Sequence, residues 1–262
     1  MTEILQQFGM PAPASSHAQG IDDFIGYIHL LMLALFIGWM GYYVLALFRF
    51  RKGANPKADY TGVKSSMSTY LEIGVALIEA VLLVGFAIPL WAHAVDEMPV
   101  GKGEPKTDPI ELQIMGMQFK WNAHFAGPDG KMGRQIQTEA SQGNPFGIDA
   151  KDPASKDDVV CVAGEPFKLP VNRDAICRIS SMDVIHSFKV AALRVGQDAI
   201  PGMSIPVHFK PTKTGKFVVT CAQLCGSGHS VMRGDFEVVS QEDFDKWFAE
   251  KSKAGGGGNS FE

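Results

Sequence analysis

Two long apolar runs restrict this chain of 262 residues more than any other feature. The first, 24–48, contains no Asp, Glu, Lys or Arg, and the second, 73–91, contains a single acid, Glu79, and a late proline. Each run is long enough to cross a hydrocarbon core of about 30 Å as a helix. A proline and one ionisable residue are tolerated in a spanning helix that packs against other helices. We therefore predict transmembrane helices at 22–50 and 69–94.

The charges beside these runs predict the orientation of the chain. Five basic residues and one acid lie within 49–64, whereas residues 1–23 contain no Lys or Arg and so lack the basic start of a cleavable signal peptide. The positive-inside rule places such a basic loop in the cytoplasm. The prediction is an outer segment at 1–21, a cytoplasmic loop at 51–68 and both termini on the periplasmic side of a bacterial inner membrane.

The part of the chain beyond the second run has the pattern of an all-β domain. Short stretches rich in β-branched and aromatic residues alternate with turn residues, as in a sandwich or barrel. A capping-box-like start and a glycine-rich end then predict a helix and a flexible tail. We assign the β-domain to 95–240 and the helix with its tail to 241–262. The predicted strands are 110–115, 119–125, 167–171, 175–180, 187–195, 205–209, 216–221 and 232–239.

A cluster of soft ligands near the C-terminus predicts metal chemistry. Cys221, Cys225, His229 and Met232 fall within twelve residues. Thiolate and thioether sulfurs favour copper over hard cations. His186, which follows a predicted strand, is the histidine that we add to this set. A blue-copper site uses one cysteine, so two cysteines four residues apart predict two copper ions.

Zinc is the alternative metal for a set of two cysteines and a histidine. Met232 would then be ordinary core packing. Zinc sites are built from Cys, His and carboxylate ligands, so the methionine favours copper. His208 lies within a predicted strand and is interpreted as a strand residue, not as a ligand.

The chain resembles subunit II of haem-copper cytochrome c oxidases in three motifs. These are the spacing Cys-x3-Cys-x3-His-x2-Met, the sequence Asp-Val-Ile-His-Ser-Phe around His186, and Gln-Asp-Ala-Ile-Pro-Gly at 197–202. The resemblance implies a membrane-anchored all-β protein, in which a two-helix transmembrane hairpin precedes a cupredoxin-like β-barrel with a dinuclear copper centre, CuA. In such an oxidase CuA accepts single electrons from a c-type cytochrome and passes them to haem in subunit I, which reduces oxygen to water. Subunit III is a further implied partner, and nucleic acid is not.

The resemblance also implies a role for each ligand. Two thiolates bridge both coppers, two histidines each bind one copper, and a thioether and a backbone carbonyl are weak axial ligands. These are, in that order, Cys221 and Cys225, His186 and His229, Met232, and the carbonyl of Gln223.

Two positions depart from the family pattern. Gln223 stands where most relatives have a glutamate that also binds magnesium at the boundary with subunit I, and a neutral amide is a poorer ligand for a hard cation. The magnesium ion is therefore in question. Phe119 replaces the surface tryptophan at which soluble cytochrome c delivers electrons, while Trp121 matches the second aromatic residue. Because of Phe119 we expect a donor haem on another membrane complex or a tethered domain, in place of a freely diffusing cytochrome c. The chain contains no Cys-x2-Cys-His motif, so we expect no c-type haem on the chain itself.

Three points stay open at the level of sequence. Glu72 matches a glutamate at the cytoplasmic entrance of a proton channel in the family, but an interhelical hydrogen bond is an equal alternative. Cys161 and Cys177 could form a disulfide in an oxidising compartment, provided that their Cα atoms are close. The rival functions are a quinol oxidase subunit II without copper, a CuA-type electron-transfer protein of another complex, and a zinc-stabilised periplasmic binding module.

Overall fold

Two long apolar helices open the structure, a computed structural model that describes residues 2–54, 60–62, 64–103, 108–162 and 165–255. Both are long and apolar enough to cross a membrane, and their apolar side chains are exposed on the single chain. The predicted flexible tail beyond 255, and part of the predicted loop 51–68, lie outside the described residues. The helical elements of this region are α1 Thr2–Gln7, α2 Ala18–Arg49, α3 Met67–Leu82, a π-helical turn Leu83–Ala87 and α4 Ile88–Val95.

The π-helical turn explains how the second apolar helix continues past its proline. Pro89 has no backbone N–H, and its ring crowds the carbonyl one turn earlier in a regular α-helix. The wider turn Leu83–Ala87 lies directly before it and changes the hydrogen-bond spacing there. As a result the helix does not end at the proline but runs on to Val95.

Ten strands form the β-domain within the residues that the structure describes. They are β1 Ile110–Met117, β2 Lys120–Phe125, β3 Val159–Cys161, β4 Phe167–Pro170, β5 Ala175–Ser181, β6 His186–Val190, β7 Val195–Ala199, β8 Ile205–Phe209, β9 Gly215–Cys221 and β10 Arg233–Val239. Two five-stranded sheets have the orders β3-β2-β1-β5-β8 and β4-β10-β9-β6-β7. Within them β1 with β5 and β4 with β10 run parallel, whereas the other pairs are antiparallel.

One hydrophobic core joins the two sheets. Phe125 of β2 and Phe209 of β8 come from one sheet, Phe188 of β6 and Phe236 of β10 from the other, and all four are almost fully buried. The helix α5 Gln241–Gly255 closes one side of this core, with Trp247 edge-on to Phe125. The predicted class, two apolar helices followed by an all-β, cupredoxin-like domain, is confirmed.

The strand pattern differs from the predicted one at two places. The stretch 187–195 is not one strand but a hairpin of β6 and β7, because a 3-10 turn at Ala191–Leu193 reverses the chain and Arg194 then adopts φ +56°. The turn contains no glycine or proline, so no local signal marked it. The edge strand β3 was not predicted, since three residues are too few to show a period of two.

The disulfide between Cys161 and Cys177 is not present. Cys161 lies on β3 and Cys177 on β5, with β2 and β1 between them in one sheet. Neighbouring strands are about 4.8 Å apart, so three strand spacings separate the two residues by at least about 14 Å, beyond the reach of a disulfide. Both cysteines are free and buried. Burial raises the pKa of the Cys161 thiol to about 12 and also raises that of Cys177.

A buried ion pair joins the first apolar helix to the β-domain. Arg194 donates to Asp22 through Nε at 2.7 Å and through Nη2 at 2.9 Å, and both side chains are more than nine-tenths buried. The same guanidinium donates to the carbonyl oxygens of Pro11, at 2.8 Å, and of Ala191. The helix α2 starts at Ala18, four residues before the predicted segment. Its first turns pack against the β-domain, where Asp22 pairs with Arg194.

The segment before α2 adds main-chain bonds to this junction. Ala14 donates to the carbonyl of Ala192 at 2.9 Å, and Ser16 donates to that of Lys210 at 3.0 Å. The Ser15 hydroxyl donates to the carbonyl of Leu193 at 2.6 Å. The chain thus contacts both the hairpin turn between β6 and β7 and the end of β8 before it enters the helix.

We predict that Arg194→Met destabilises the chain by about 3–5 kcal/mol, because the substitution leaves the Asp22 carboxylate buried without its partner. Arg233→Met is the matched control, because Arg233 pairs with Asp235 on the surface. This substitution should lower the free energy of unfolding by no more than about 1 kcal/mol. Thermal unfolding of the full chain in detergent measures both variants. Equal melting temperatures for the two would contradict the role of the buried pair.

The junction should also weaken on acidification. Burial lowers the pKa of His17 and of His208 below the ordinary value of about 6.5. As pH falls below about 6.5, the unfolded chain therefore takes up protons that the folded chain refuses, and stability is lost. The groups facing the two imidazoles are His93, Glu97 and Asp174, with the carbonyls of Val95, Leu193 and Arg194.

The measurement is the melting temperature at pH 7.5 and pH 5.5. We expect a lower value at pH 5.5 and a smaller difference for His208→Leu, because that variant removes one of the two buried imidazoles. An unchanged difference in the variant would show that the acid sensitivity arises elsewhere.

Candidate metal centre

The pairing of β6 with β9 brings together ligands that are distant in the sequence. Phe188 pairs with Cys221 in an antiparallel register, so the first residue of β6 and the last residue of β9 lie at the same end of the sheet. His186 is that first residue, and its side chain is fully buried. Its Nδ1 lies 3.9 Å from the Sγ of Cys221.

The loop after β9 supplies the other predicted ligands. The Sγ of Cys225 lies 3.7 Å from that of Cys221, 3.6 Å from Nδ1 of His229 and 3.7 Å from Sδ of Met232. The carbonyl oxygen of Gln223 lies 3.1 Å from the Sγ of Cys221. All six predicted ligand groups therefore meet at one end of the β-domain. Ligand atoms of His186, Cys221 and Cys225 lie within 4.8 Å of one another.

The donor set fits copper. It contains two thiols, two imidazole nitrogens, a thioether and a carbonyl oxygen, and soft sulfur with imidazole is the set that copper prefers. A structural zinc ion takes four ligands and would leave the thioether and the carbonyl unused. Burial, and then the neighbouring Cys221 thiol, raises the pKa of Cys225 to about 11, so a metal ion must displace that proton when it binds.

The orientation of His186 depends on Asp183. The Nε2 of His186 is hydrogen-bonded to Oδ1 of Asp183 at 2.8 Å, which leaves Nδ1 directed towards the thiols. Asp183 also accepts hydrogen bonds from the backbone N–H groups of Gln118 and Val184, both at 2.7 Å. Burial acts to raise the pKa of Asp183, but these hydrogen bonds outweigh it and lower the pKa below its ordinary value.

Two aromatic residues from the start of β2 lie beside the cluster. The buried ring of Trp121 is edge-on to His186, with ring centroids 6.0 Å apart, and edge-on to Phe188. Phe119, which is half-buried, packs against the backbone of Gly226 and Gly228 in the ligand loop. Both predicted electron-transfer residues are thus neighbours of the cluster.

Glu72, His208 and the side chain of Gln223 lie outside the cluster. Glu72 is on α3, with its side chain exposed on the single chain. His208 is in β8, opposite Ile176 of β5, and it is a buried strand residue. The exposed side chain of Gln223 does not contribute to the cluster, which uses its carbonyl.

Sequence reasoning missed the polar residues that hold the ligands. Asp183 and Gln118 were not singled out, although Asp183 precedes His186 by three residues and could have been recognised as a partner of the ring. Gln118 gives no such signal, since it lies 107 residues before the carbonyl group that it contacts.

We predict that Gly228→Ala disturbs the ligand loop. A Cβ at Gly228 would lie against the ring of Phe119, with Cε2 at 2.8 Å, closer than van der Waals contact allows. Overpacking of this kind costs about 1–3 kcal/mol, and here the ring or the loop must move. Copper retention and the melting temperature of the full chain measure the effect. Gly196→Ala is the control, because its Cβ would meet only a backbone oxygen at 4.0 Å, and equal behaviour of the two variants would refute the packing argument.

Comparisons with known proteins agree with this geometry. Residues 144–239 match the family described as cytochrome C oxidase subunit II, periplasmic domain. The alternative cytochrome c oxidase subunit 2 of Bradyrhizobium diazoefficiens is 29% identical over 245 residues, which cover 93% of this chain and 84% of the relative. The probable cytochrome c oxidase subunit 2 of Rickettsia bellii is 28% identical, with coverage of 96% and 87%.

One solved structure is that of the periplasmic domain of subunit II of cytochrome oxidase of Bradyrhizobium japonicum. It is 27% identical to this chain, and the match covers 55% of this chain and 94% of the solved chain, with a TM-score of 0.41. The resemblance predicted from the metal motif is confirmed by the family match and by the curated relatives. The chain is similar over nearly its whole length to subunit 2 of cytochrome c oxidase, and its residues 144–239 match the periplasmic domain of that family.

Proposed function

We propose that this chain is the copper-carrying subunit II of a bacterial cytochrome c oxidase. The observation that supports the proposal is the convergence of six soft and neutral donor groups at one end of the β-domain. When bound, a dinuclear copper centre would accept and release one electron at a time. The residues that would hold it are His186, Cys221, Cys225, His229, Met232 and the carbonyl of Gln223.

The protein prepares this site by fixing the ligands before any metal binds. His186 and Cys221 lie in strands, and Asp183 keeps Nδ1 of His186 directed at the thiols. Cys225 and Met232 are buried, which keeps water away from the sulfur atoms. A site on a rigid scaffold moves little when its charge changes, and this small reorganisation favours rapid electron transfer.

Electrons would enter beside the aromatic pair. Phe119 is half-buried next to the ligand loop, and Trp121 contacts the ring of His186. We assign both to the path between the donor and the cluster. Phenylalanine at the outer position supports a donor haem carried by a membrane complex or a tethered domain, in place of a freely diffusing cytochrome c.

The apolar helices would anchor the chain in the bacterial inner membrane. In this proposal 22–50 and 69–94 cross the bilayer, 51–68 is cytoplasmic, and the N-terminal segment 1–21 lies outside with the domain at 95–240 and the C-terminal 241–262. The exposed apolar surfaces of α2 and α3 would contact lipid and oxidase subunits I and III. Glu72 on α3 would then lie at the cytoplasmic end of a proton path into subunit I. We assign no magnesium ion to Gln223, because its side chain is a neutral amide.

The test is the electron paramagnetic resonance spectrum of the oxidised full chain, purified in detergent and loaded with copper. We expect two copper ions per chain and hyperfine structure from two equivalent nuclei. His186→Asn should abolish this spectrum, because it removes a buried ligand, whereas His93→Gln, a change at an exposed helix end, should not.

Two results would contradict the proposal. Hyperfine structure from one copper nucleus would indicate a mononuclear site. A silent spectrum with tightly bound zinc would indicate a zinc-stabilised module instead.

A further inference from the structure

Gln118 bridges the two sides of the metal cluster. Its side-chain Nε2 donates to the carbonyl oxygen of Cys225 at 2.6 Å, and its backbone N–H donates to Oδ2 of Asp183 at 2.7 Å. The other oxygen of Asp183 is bonded to His186. One residue of the turn between β1 and β2 is therefore connected both to the cysteine loop and to the partner of the buried histidine.

We infer that Gln118 is a positioning residue that holds Cys225 at its place in the copper site, an inference that rests on the proposed copper centre. Cys221 is the last residue of β9 and is held by strand pairing. Cys225, in contrast, lies in the loop beyond the end of that strand. Its distances to Cys221, His229 and Met232 depend on where the loop lies.

The loop rests directly on the turn that contains Gln118. A Cβ at Gly226 would lie 2.8 Å from Nε2 of Gln118 and 3.2 Å from the ring of Phe119. Gly226 has φ +134°, a conformation that disfavours any side chain. The backbone of the loop can therefore approach Gln118 closely enough for the hydrogen bond to the neighbouring carbonyl.

Loss of this bond should loosen the loop without unfolding the domain. Gln118 is exposed and lies outside the hydrophobic core, so its replacement opens no cavity there. The carbonyl of Cys225 would lose its donor, and the loop would no longer be tied to the side of the cluster that holds Asp183. Partners that orient metal ligands commonly change metal affinity by 10–100-fold when they are removed, and for Gln118 we expect an effect of about tenfold.

The experiment compares Gln118→Met and Gln118→Ala with Gln137→Met in the full chain in detergent. Methionine keeps the length of the side chain but cannot donate a hydrogen bond. Gln137 is an exposed glutamine in a 3-10 turn outside the cluster and is the matched control.

In both Gln118 variants three readouts are expected to differ from those of the original chain. In the control Gln137→Met all three are expected to match the original chain. Amide hydrogen exchange in 222–231 of the metal-free protein becomes faster, copper is released about tenfold faster to a chelator, and the copper hyperfine splitting changes. The melting temperature stays the same, which separates positioning from a general structural role.

Gln118→Met with the exchange rates and copper release of the original chain would overturn the inference, because the donor would then be irrelevant. Failure of the proposed function would look different. The unsubstituted chain itself would then lack the spectrum of a two-copper centre, while hydrogen exchange in the metal-free protein would still decide whether Gln118 holds the loop.

Discussion

The antiparallel pairing of β6 with β9 is the contact on which the cluster of candidate metal ligands depends. His186 and Cys221 are 35 residues apart, and they become neighbours because Phe188, two residues into β6, pairs with Cys221. Phe188 is fully buried and contacts Trp121, so burial of aromatic surface stabilises the register. A shift of one residue would direct the imidazole to the other face of the sheet. Packing of the hydrophobic core thus determines the distance between His186 and Cys221.

The same strand connects the ligand cluster to the first apolar helix. At its first residue β6 carries His186, and after its last residue, Val190, the chain turns and reaches Arg194. Arg194 forms the buried ion pair with Asp22 at the start of α2. The ligand cluster and the turn that leads to the anchoring contacts therefore lie at opposite ends of a five-residue strand, whose first and last residues are about 13 Å apart. Both positions follow from the burial of one strand.

Two kinds of force hold the ligands. Strand pairing and core packing place His186 and Cys221. The ring of His186 is oriented by its hydrogen bond to the Asp183 carboxylate, and Gln118 donates a hydrogen bond to the loop at the carbonyl of Cys225. Polar contacts matter at the loop because Cys225 lies beyond the end of β9, outside the paired strands. They are directional, so they define the orientation of a group as well as its position. The chemistry of the site depends on this combination.

The sequence alone determined the ligand types and the apolar runs, because both follow from residue identity and local spacing. Soft donors four, four and three residues apart are close in any compact loop, and long apolar runs are typical of membrane-spanning helices. Only the tertiary structure decided which partners these residues have. The absence of a bond between Cys161 and Cys177, the hairpin within 187–195, the pair Asp22–Arg194 and the contact of Gln118 with Cys225 all depend on strand order and chain reversal. Residues so far apart in sequence leave no local pattern, since the free energy that joins them comes from the packing of the whole domain.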